Sequence, residues 1–283
     1  MDHAVTISNV QKTVDHFRLE SIHMQIEKGT ISALIGKNGA GKSTLLNMIM
    51  NLIKPNNGDI QVFGQTVLGD DESWKTNVAY LPQKPPLIVP FTGYEMKNLI
   101  ARWYPTWDEA YFQKIVALFG IDLSAKYKKL SPGSQQQLNL ALVIARNAPV
   151  LILDEPTAHL DIPSKQVLND ILIEWMGNEE RTIIIATHQV EEIQKLADYL
   201  IVLKEGRIFG QFEKEDLIES YKRYWFSQPL EFSTVPGEVE RVGSSLVTNL
   251  PKEAEDFLHD ENMQWTTVQR LGLDEIVTML LVK

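Results

Sequence analysis

The sequence reads Gly36-Lys37-Asn38-Gly39-Ala40-Gly41-Lys42-Ser43-Thr44 between a predicted strand at residues 31–35 and a predicted helix after Gly41, and this stretch matches G-x4-G-K-[ST]. Glycines allow successive backbone N–H groups to point inward at phosphate oxygens, and a helix N-terminus adds a positive dipole end. The pattern therefore predicts a phosphate-binding loop, in which Lys42 contacts the β- and γ-phosphates and Ser43 binds Mg²⁺. The alternative, a glycine-rich turn before an ordinary helix, is disfavoured by the strand–helix context.

Two carboxylates follow the apolar run that starts at Val150, and they form the second half of the predicted site. Ligands of open parallel sheets bind at the carboxyl ends of strands, where Asp154 and Glu155 stand. Asp154 suits Mg²⁺ coordination, directly or through water. Glu155 could orient and deprotonate an attacking water. Alone, this pair would be read as a solvated strand end, but the phosphate loop favours the functional interpretation.

Composition excludes several classes of function. The 283 residues carry 27 Lys and Arg against 37 Asp and Glu, a formal net charge of −10, which does not fit a nucleic-acid binder. The absence of cysteine excludes disulfides, thiolate catalysis and cysteine-based zinc sites. The longest apolar runs are far shorter than the ~18 residues of a membrane span, and the N-terminus lacks a signal-peptide pattern. We therefore expect a protein that is soluble or reaches a membrane only through a partner.

Strand-like and helix-like segments alternate along the chain, which predicts an α/β fold. Strands are predicted at 31–35, 59–63, 78–81, 150–153, 182–186, 200–203, 230–234 and 242–247. Helices are predicted to begin after Gly41, near Thr92, at Thr106 and after the cap Ser131, and to cover 164–176, 190–196, 252–260 and 274–281. Residues 211–283 carry 7 Lys and Arg against 14 Asp and Glu, so we predict a boundary between a main domain, 1–210, and an acidic accessory domain, 211–283.

The order of motifs carries a resemblance to a known family. The phosphate loop is followed by Gln83, by Leu130-Ser131-Pro132-Gly133-Ser134-Gln135-Gln136-Gln137, by Asp154-Glu155, by Leu160-Asp161 and by His188. Over residues 1–210 this order resembles the nucleotide-binding subunit of an ABC transporter. The resemblance implies a P-loop NTPase fold with an ABC-type ATPase core, a helical subdomain at about 84–148 and a small α+β appendage at the C-terminus. It also implies ATP and Mg²⁺ as cofactors.

The resemblance assigns roles to the remaining site residues. It implies that Gln83 senses Mg²⁺ and the transmembrane partner, and that His188 contacts the γ-phosphate. It implies that the segment of Ser131, Gly133 and Ser134 binds the γ-phosphate held by another subunit, so that the active unit is a head-to-tail homodimer or heterodimer. Asp161 belongs to the same nucleotide-binding set.

This sequence departs from the family pattern in several places. Pro132 replaces a glycine of the signature and Ser134 replaces a glutamine, although proline is tolerated at a helix start. Ala158 and His159 stand where a small hydroxyl residue and a glycine are usual. The aromatic residue that stacks on adenine is not evident: Val14 or Thr13 falls near its expected place, and His16 and Phe17 are nearby candidates.

Aromatic residues are concentrated in residues 91–119, which hold 8 of the 24 in the chain. One interpretation is the core of a small helical subdomain, and another is a groove for a partner helix, because aromatic residues are frequent at interface hot spots. Residues 102–108 and 271–280 resemble segments of exporter ATPase subunits.

We therefore expect an ATP-hydrolysing subunit that powers a separate transmembrane permease, for export rather than import, at the cytoplasmic face of the membrane. The alternatives are an importer ATPase, a soluble ABC-type ATPase acting on ribosomes or DNA, and a P-loop kinase. The kinase would leave the signature segment and His188 without a role.

Overall fold

The computed structural model describes residues 3–14, 17–84, 90–177, 180–230 and 234–282. The chain divides into two compact units, Met1–Gln211 and Phe212–Lys283.

The first unit alternates strands and helices, as the sequence predicts. Its strands are β1 (His3–Val14), β2 (Phe17–Glu27), β3 (Ile31–Ile35), β4 (Asn57–Val62), β5 (Gln65–Thr66), β6 (Val78–Leu81), β7 (Val150–Asp154), β8 (Thr182–Ala186), β9 (Tyr199–Lys204) and β10 (Arg207–Glu213). Its α-helices are α1 (Lys42–Ile49), α2 (Gly93–Ala101), α3 (Glu109–Phe119), α4 (Pro132–Ile144), α5 (Ile162–Trp175) and α6 (Val190–Leu196), with 3-10 turns at Ser73–Asn77 and Tyr127–Lys129.

A six-stranded sheet of order β10-β9-β3-β8-β7-β6 forms the centre of this unit, and β9, β3, β8, β7 and β6 run parallel. The parallel strands β3, β6, β7 and β8 are almost entirely buried, because both faces of the sheet are covered there. Side chains of β7 alternate between two cores: Val150 and Ile152 lie in the core that includes α1, whereas Leu151 and Leu153 lie in the core that includes α3, α4 and α5. A second sheet, β2-β1-β4-β5, is antiparallel.

The second unit is an antiparallel sheet with helices. It contains α7 (Lys214–Ser220), β11 (Lys222–Phe226), β12 (Glu238–Val242), β13 (Ser245–Thr248), α8 (Pro251–Asp260), β14 (Trp265–Arg270) and α9 (Leu273–Val282), with the strands in the order β12-β13-β11-β14. Tyr224 packs in its core with Phe226, Leu246 and Leu258, and its hydroxyl lies 2.5 Å from Glu255 Oε1. The arrangement is α+β.

Several predicted boundaries are confirmed and others are wrong. Helix α2 begins after Thr92, as predicted, and Thr92 forms a capping box with Glu95. Ser131 caps α4 with Pro132 at its first position, also as predicted. The predicted start at Thr106 is wrong, because the Thr106 hydroxyl donates to Arg146 O (2.7 Å) and Asp108 caps α3 instead.

The tail predictions were less accurate. The predicted strand at 242–247 is wrong, because a turn at Gly243, with φ of 57°, divides β12 from β13 there. The predicted strand at 230–234 lies mainly outside the described residues.

The strands β1 and β2 were not predicted at all. Their pairing is interrupted by register shifts, which break the regular alternation on which sequence patterns depend.

Candidate functional site

The predicted site residues follow neighbouring parallel strands. The phosphate loop follows β3, Asp154 ends β7 with Glu155 directly after it, and His188 comes two residues after β8, which lies between β3 and β7. Gln83 follows β6, the next strand beyond β7. Because these strands are parallel, their carboxyl ends meet at one edge of the sheet, which is the usual location of ligand sites in such folds.

Glycine is required at two positions of the phosphate loop. At Gly36 a Cβ would lie 2.4 Å from the carbonyl oxygen of Leu203. Gly41 has φ of 106°, and a Cβ there would lie 2.6 Å from the ring of Phe17. The absence of a side chain at Gly36 lets the loop pass close to the Leu203 backbone. The positive φ of Gly41 turns the chain into α1, which begins at Lys42.

Lys42 is buried at the base of the loop. Its Nζ donates a hydrogen bond of 2.8 Å to the carbonyl oxygen of Gly36. Burial lowers the pKa of Lys42, while the nearby carboxylates of Glu155 and Asp154 act in the opposite direction. The ammonium group is therefore held among opposite charges, where a triphosphate would compete for it.

Asp154 has the environment of a cation ligand. Its side chain is buried, and its Oδ1 accepts no hydrogen bond within the described part of the chain. Burial, and to a lesser extent Glu155, raises the pKa of Asp154, whereas interactions with Ser43, Lys42 and the Gln83 backbone lower it. A buried carboxylate oxygen without a partner, beside a hydroxyl group, fits the all-oxygen coordination that Mg²⁺ prefers.

Glu155 and His188 contact each other. Glu155 is buried and has φ of 53°, and its backbone N–H donates to Ala186 O at 2.8 Å, which extends the pairing of β7 with β8. His188 Nδ1 lies 2.9 Å from a carboxylate oxygen of Glu155, while 62 % of the His188 side chain remains exposed. A carboxylate at this place can accept a proton, and the exposed imidazole has room to turn toward a ligand.

These groups surround a cleft of about 610 Å³. Its lining comprises Val14, Phe17, Asn38, Gly39, Gly41, Lys42, Ser43, Thr44, Gln83, Asp154 and Glu155. Lys37 is exposed and Ala40 is buried within the same loop. Of the four adenine candidates, Val14 and Phe17 line the cleft, and His16 lies outside the described residues. The Thr13 backbone N–H donates to the side chain of Asn56.

The signature residues lie apart from this cleft. Ser131, Gly133, Ser134 and Asp161 line a second cavity of about 470 Å³, together with Pro132, Gln137, His159, Leu160 and Ser164. Ser131 Oγ accepts from Ser134 N (3.1 Å) and lies 3.0 Å from Ser134 Oγ. Asp161 caps α5 by accepting from Ser164 N at 2.9 Å, and its hydrogen bonds to Ser164 lower its pKa. The chain therefore presents two separate groups of predicted site residues.

Sequence reasoning missed a polar network beside the cleft. Its hydrogen bonds join Gln189 to Thr157, Lys165 and Thr187. The Glu192 carboxyl group lies beside them, and burial raises its pKa to about 7. The Glu191-Glu192 pair looks like a solvated helix face in the sequence. The burial of Glu192 follows only from the position of α6.

Comparisons with known proteins agree on one family. The family model described as "ABC transporter" matches residues 19–158. The chain is similar to the SkfA peptide export ATP-binding protein SkfE of Bacillus subtilis, 33 % identical over 207 residues that cover 70 % of this chain and 85 % of that one. It is also similar to the petrobactin import ATP-binding protein FpuD of Bacillus anthracis, 30 % identical over 229 residues, with coverages of 77 % and 84 %.

A solved structure described as the ATP-binding subunit of an ABC transporter superposes with a TM-score of 0.70 at 25 % identity, and the match covers 76 % of this chain and 92 % of the other. Within the residues that the structure describes, no helix has the length and apolarity to cross a membrane. The fold, the motif order and these similarities agree: the chain belongs to the ABC transporter ATP-binding proteins and is an ATP-hydrolysing subunit.

Proposed function

We propose that this chain binds ATP with Mg²⁺ in the cleft, dimerises head to tail and drives a separate transmembrane subunit, in the direction of export. The observation that carries this proposal is the separation of two incomplete half-sites on one chain. The phosphate loop and carboxylates line one cavity, and the signature residues line another.

In the nucleotide half-site, the phosphates bind to the backbone of the loop from Gly36 to Thr44 and to the Lys42 ammonium group. Ser43, Asp154 and Gln83 are the residues that would hold Mg²⁺, and the unpartnered Asp154 Oδ1 supports this assignment. When bound, Mg²⁺ would neutralise charge on the transferring phosphoryl group.

Glu155 is proposed to take a proton from the attacking water. Its carboxylate is buried and oriented by His188, which restricts it to one position beside the phosphate loop. His188 is largely exposed and can leave Glu155 to contact the γ-phosphate.

The dimer would complete each half-site with the other. Ser131 caps α4, and Gly133 and Ser134 lie in its first turn, where the Gly133 N–H and the positive dipole end of the helix suit a phosphate. Because these residues do not line the chain's own cleft, we propose that they meet nucleotide bound to another subunit, in a homodimer or a heterodimer. ATP binding would close two subunits, and hydrolysis would reopen them.

The aromatic stretch supports both earlier interpretations, on different faces. Phe112 is fully buried and Trp107 packs against it, with ring centroids 5.4 Å apart. Tyr94 is 53 % exposed and Trp103 is 78 % exposed. We assign docking of the transmembrane subunit to the exposed part of this stretch, which includes Tyr94 and Trp103. This partner would keep the protein at the cytoplasmic face of the membrane.

Tyr104, another tyrosine of the aromatic stretch, is a poor probe of this surface. The guanidinium of the half-buried Arg146 lies 4.5 Å from the centre of its ring. Replacing Tyr104 would therefore disturb the subdomain itself.

Export is favoured by the two exporter-like segments, at residues 102–108 and 271–280. The relatives themselves include a protein named for peptide export and another named for import. The unit after Gln211 is proposed as an accessory domain.

The docking proposal is tested by replacing Tyr94 and Trp103 with alanine, singly and together. Leu52→Ala is the matched control, because Leu52 is 67 % exposed and lies just after α1, away from the aromatic stretch. Each docking variant should lose about 1–2 kcal/mol of association with washed native membranes, a typical value for an interface hot spot. Melting temperature and soluble ATPase activity should stay close to wild type. Membrane association equal to that of the Leu52 variant would place the interface elsewhere.

A further inference from the structure

Glu192 is a buried acid with no assigned role. It lies in α6, only 4 % of its surface is exposed, and neither of its carboxylate oxygens accepts a hydrogen bond within the described part of the chain. Burying a carboxyl group without a hydrogen-bond partner is unfavourable, and such groups are rare in folded proteins. A sequence under selection for stability alone would favour an apolar residue at this position.

Two threonine hydroxyls face this carboxyl group. The backbone N–H of Gln189 donates to Thr187 Oγ1 at 3.1 Å, and Gln189 Nε2 donates to Thr157 Oγ1 at 2.8 Å. Each hydroxyl thus accepts one hydrogen bond and keeps its own O–H proton to donate. Both hydroxyls act on the Glu192 carboxyl group, although neither completes a hydrogen bond to it.

The charged groups around Glu192 are Glu155 and Lys165. Burial is the main reason why the pKa of Glu192 is raised to about 7, and the negative charge of Glu155 adds to the shift. Lys165, whose Nζ donates to Gln189 Oε1 at 2.6 Å, acts in the opposite direction. The carboxyl group is therefore close enough to Glu155 for the two to influence each other.

The two threonines lie next to the proposed catalytic groups. Thr187 directly precedes His188 in the loop between β8 and α6. Thr157 comes two residues after Glu155, in the segment that leads to Asp161 at the start of α5. Glu192 therefore stands where a single side chain can join the loop of His188 to the segment of Glu155.

We infer that Glu192 is a positioning residue, which holds the His188 loop against the Glu155 segment by accepting hydrogen bonds from Thr187 and Thr157. This inference rests on the proposed function of Glu155 and His188. Hydrogen bonds at catalytic sites often tighten when substrate binds. We accordingly assign the two contacts to the ATP-bound enzyme.

This role predicts a specific kinetic pattern. A displacement of about 1 Å at a catalytic group can reduce a rate by up to about 100-fold. Glu192→Ala should therefore lower kcat at least about 10-fold. The affinity for ATP should change less than about threefold, because the phosphate loop and Lys42 do not depend on Glu192. Glu192→Gln keeps the size of the side chain and an amide oxygen whose two lone pairs can accept from both hydroxyls, so it should retain a kcat within about threefold of wild type.

Asn169→Ala is the matched control for simple loss of a buried polar group. Asn169 lies on the neighbouring helix α5, is 6 % exposed, and its Oδ1 also has no partner within the described residues. Its replacement should leave kcat near wild type, whatever its effect on melting temperature.

A second route tests the same contacts without changing Glu192. Thr157→Val removes the hydroxyl and keeps the shape, and it should lower kcat in the same direction as Glu192→Ala. Because both changes remove the contact between Glu192 and Thr157, their effects on kcat should be less than additive in the double variant. This route remains informative if Glu192→Ala does not fold.

The experiment measures ATP turnover, equilibrium binding of ATP and melting temperature for the purified full-length chain and each variant, with Lys42→Ala alongside. Slow turnover with normal ATP affinity in Glu192→Ala, and recovery in Glu192→Gln, would support the inference. Normal turnover in Glu192→Ala, equally slow turnover in Glu192→Gln, or an equal loss in Asn169→Ala would overturn it. If wild-type turnover did not depend on Lys42, the proposed function itself would fail, which is a separate outcome.

Discussion

Lys42→Ala is the sharpest test of the phosphate-loop assignment. The change removes the positive charge that Lys42 brings to the cleft lining, beside the carboxylates of Asp154 and Glu155. It also removes the hydrogen bond from Nζ to Gly36 O, which measures 2.8 Å. A triphosphate would then have to bind next to two carboxylates with no ammonium group to offset them.

The size of the effect follows from the contacts that are lost. A hydrogen bond to a charged group contributes about 1.5–3 kcal/mol, so ATP affinity should fall by about 10- to 150-fold. Turnover should fall further, by about 100-fold or more, because charge builds up on the phosphoryl group in the transition state. The fold should tolerate the change: burial lowers the pKa of Lys42, which means that the protein environment disfavours its charged form.

The assay combines calorimetric binding of ATP, release of inorganic phosphate and thermal unfolding. Lys75→Ala is the control, since Lys75 is a surface lysine whose Nζ pairs with Glu72 Oε1 at 2.6 Å, and exposed pairs of this kind contribute little. Unchanged turnover in purified Lys42→Ala would refute the assignment. A loss of melting temperature as large as the loss of binding would show that Lys42 supports the fold instead.

Three further predictions concern dimerisation, stability and loop geometry. Ser134→Gln should strengthen the ATP-dependent dimer, because a longer side chain at the first turn of α4 reaches further toward a partner's nucleotide. If the fraction of dimer measured by light scattering does not increase, this prediction is wrong. It is a cleaner probe than Gly133→Asp, where the new Cβ would lie 2.9 Å from His159 O and disturb the chain's own fold. Glu192→Gln should remove a pH dependence of stability: a carboxyl group whose pKa rises from 4.5 to about 7 on folding stabilises the protein fully below pH 4.5 and loses that contribution as the pH rises through 7. Between pH 4.5 and 8 the free energy of unfolding of wild type, measured with urea, should therefore fall by about 3 kcal/mol relative to that of the variant. If the difference in the free energy of unfolding between the two proteins does not change with pH, Glu192 is not buried as an acid. Gly41→Ala should weaken ATP binding, since φ of 106° and the Phe17 ring at 2.6 Å leave no place for a Cβ, and unchanged binding would contradict the loop geometry.

The central sheet could be predicted from the sequence because its strands are buried on both faces. Continuous apolar runs such as residues 31–35 and 182–186 mark such strands, and the site residues stand directly after them. Helix starts were predicted correctly where the side chain of the cap residue makes no hydrogen bond to a distant part of the chain. Ser131 caps α4 as expected, but the hydroxyl of Thr106 is used by Arg146 O, a contact 40 residues away in the sequence.

Features that depend on distant contacts could not be predicted. The burial of Glu192 and its approach to Thr157 and Thr187 require α6 to be placed against the ends of β7 and β8. The placement of Ser131 and Gly133 away from the chain's own cleft is likewise a property of the folded unit.

The central claim is that two nucleotide-bound subunits close on each other and that hydrolysis separates them. Glu155→Gln tests it most directly, because the amide is nearly isosteric with the carboxylate but cannot accept the proton of the attacking water. The measurement is the molar mass of this variant by light scattering, with saturating ATP and Mg²⁺, beside calorimetric binding of ATP. The account predicts normal ATP binding, almost no turnover and a stable species of twice the mass of the chain. A variant that binds ATP normally and remains monomeric would contradict it.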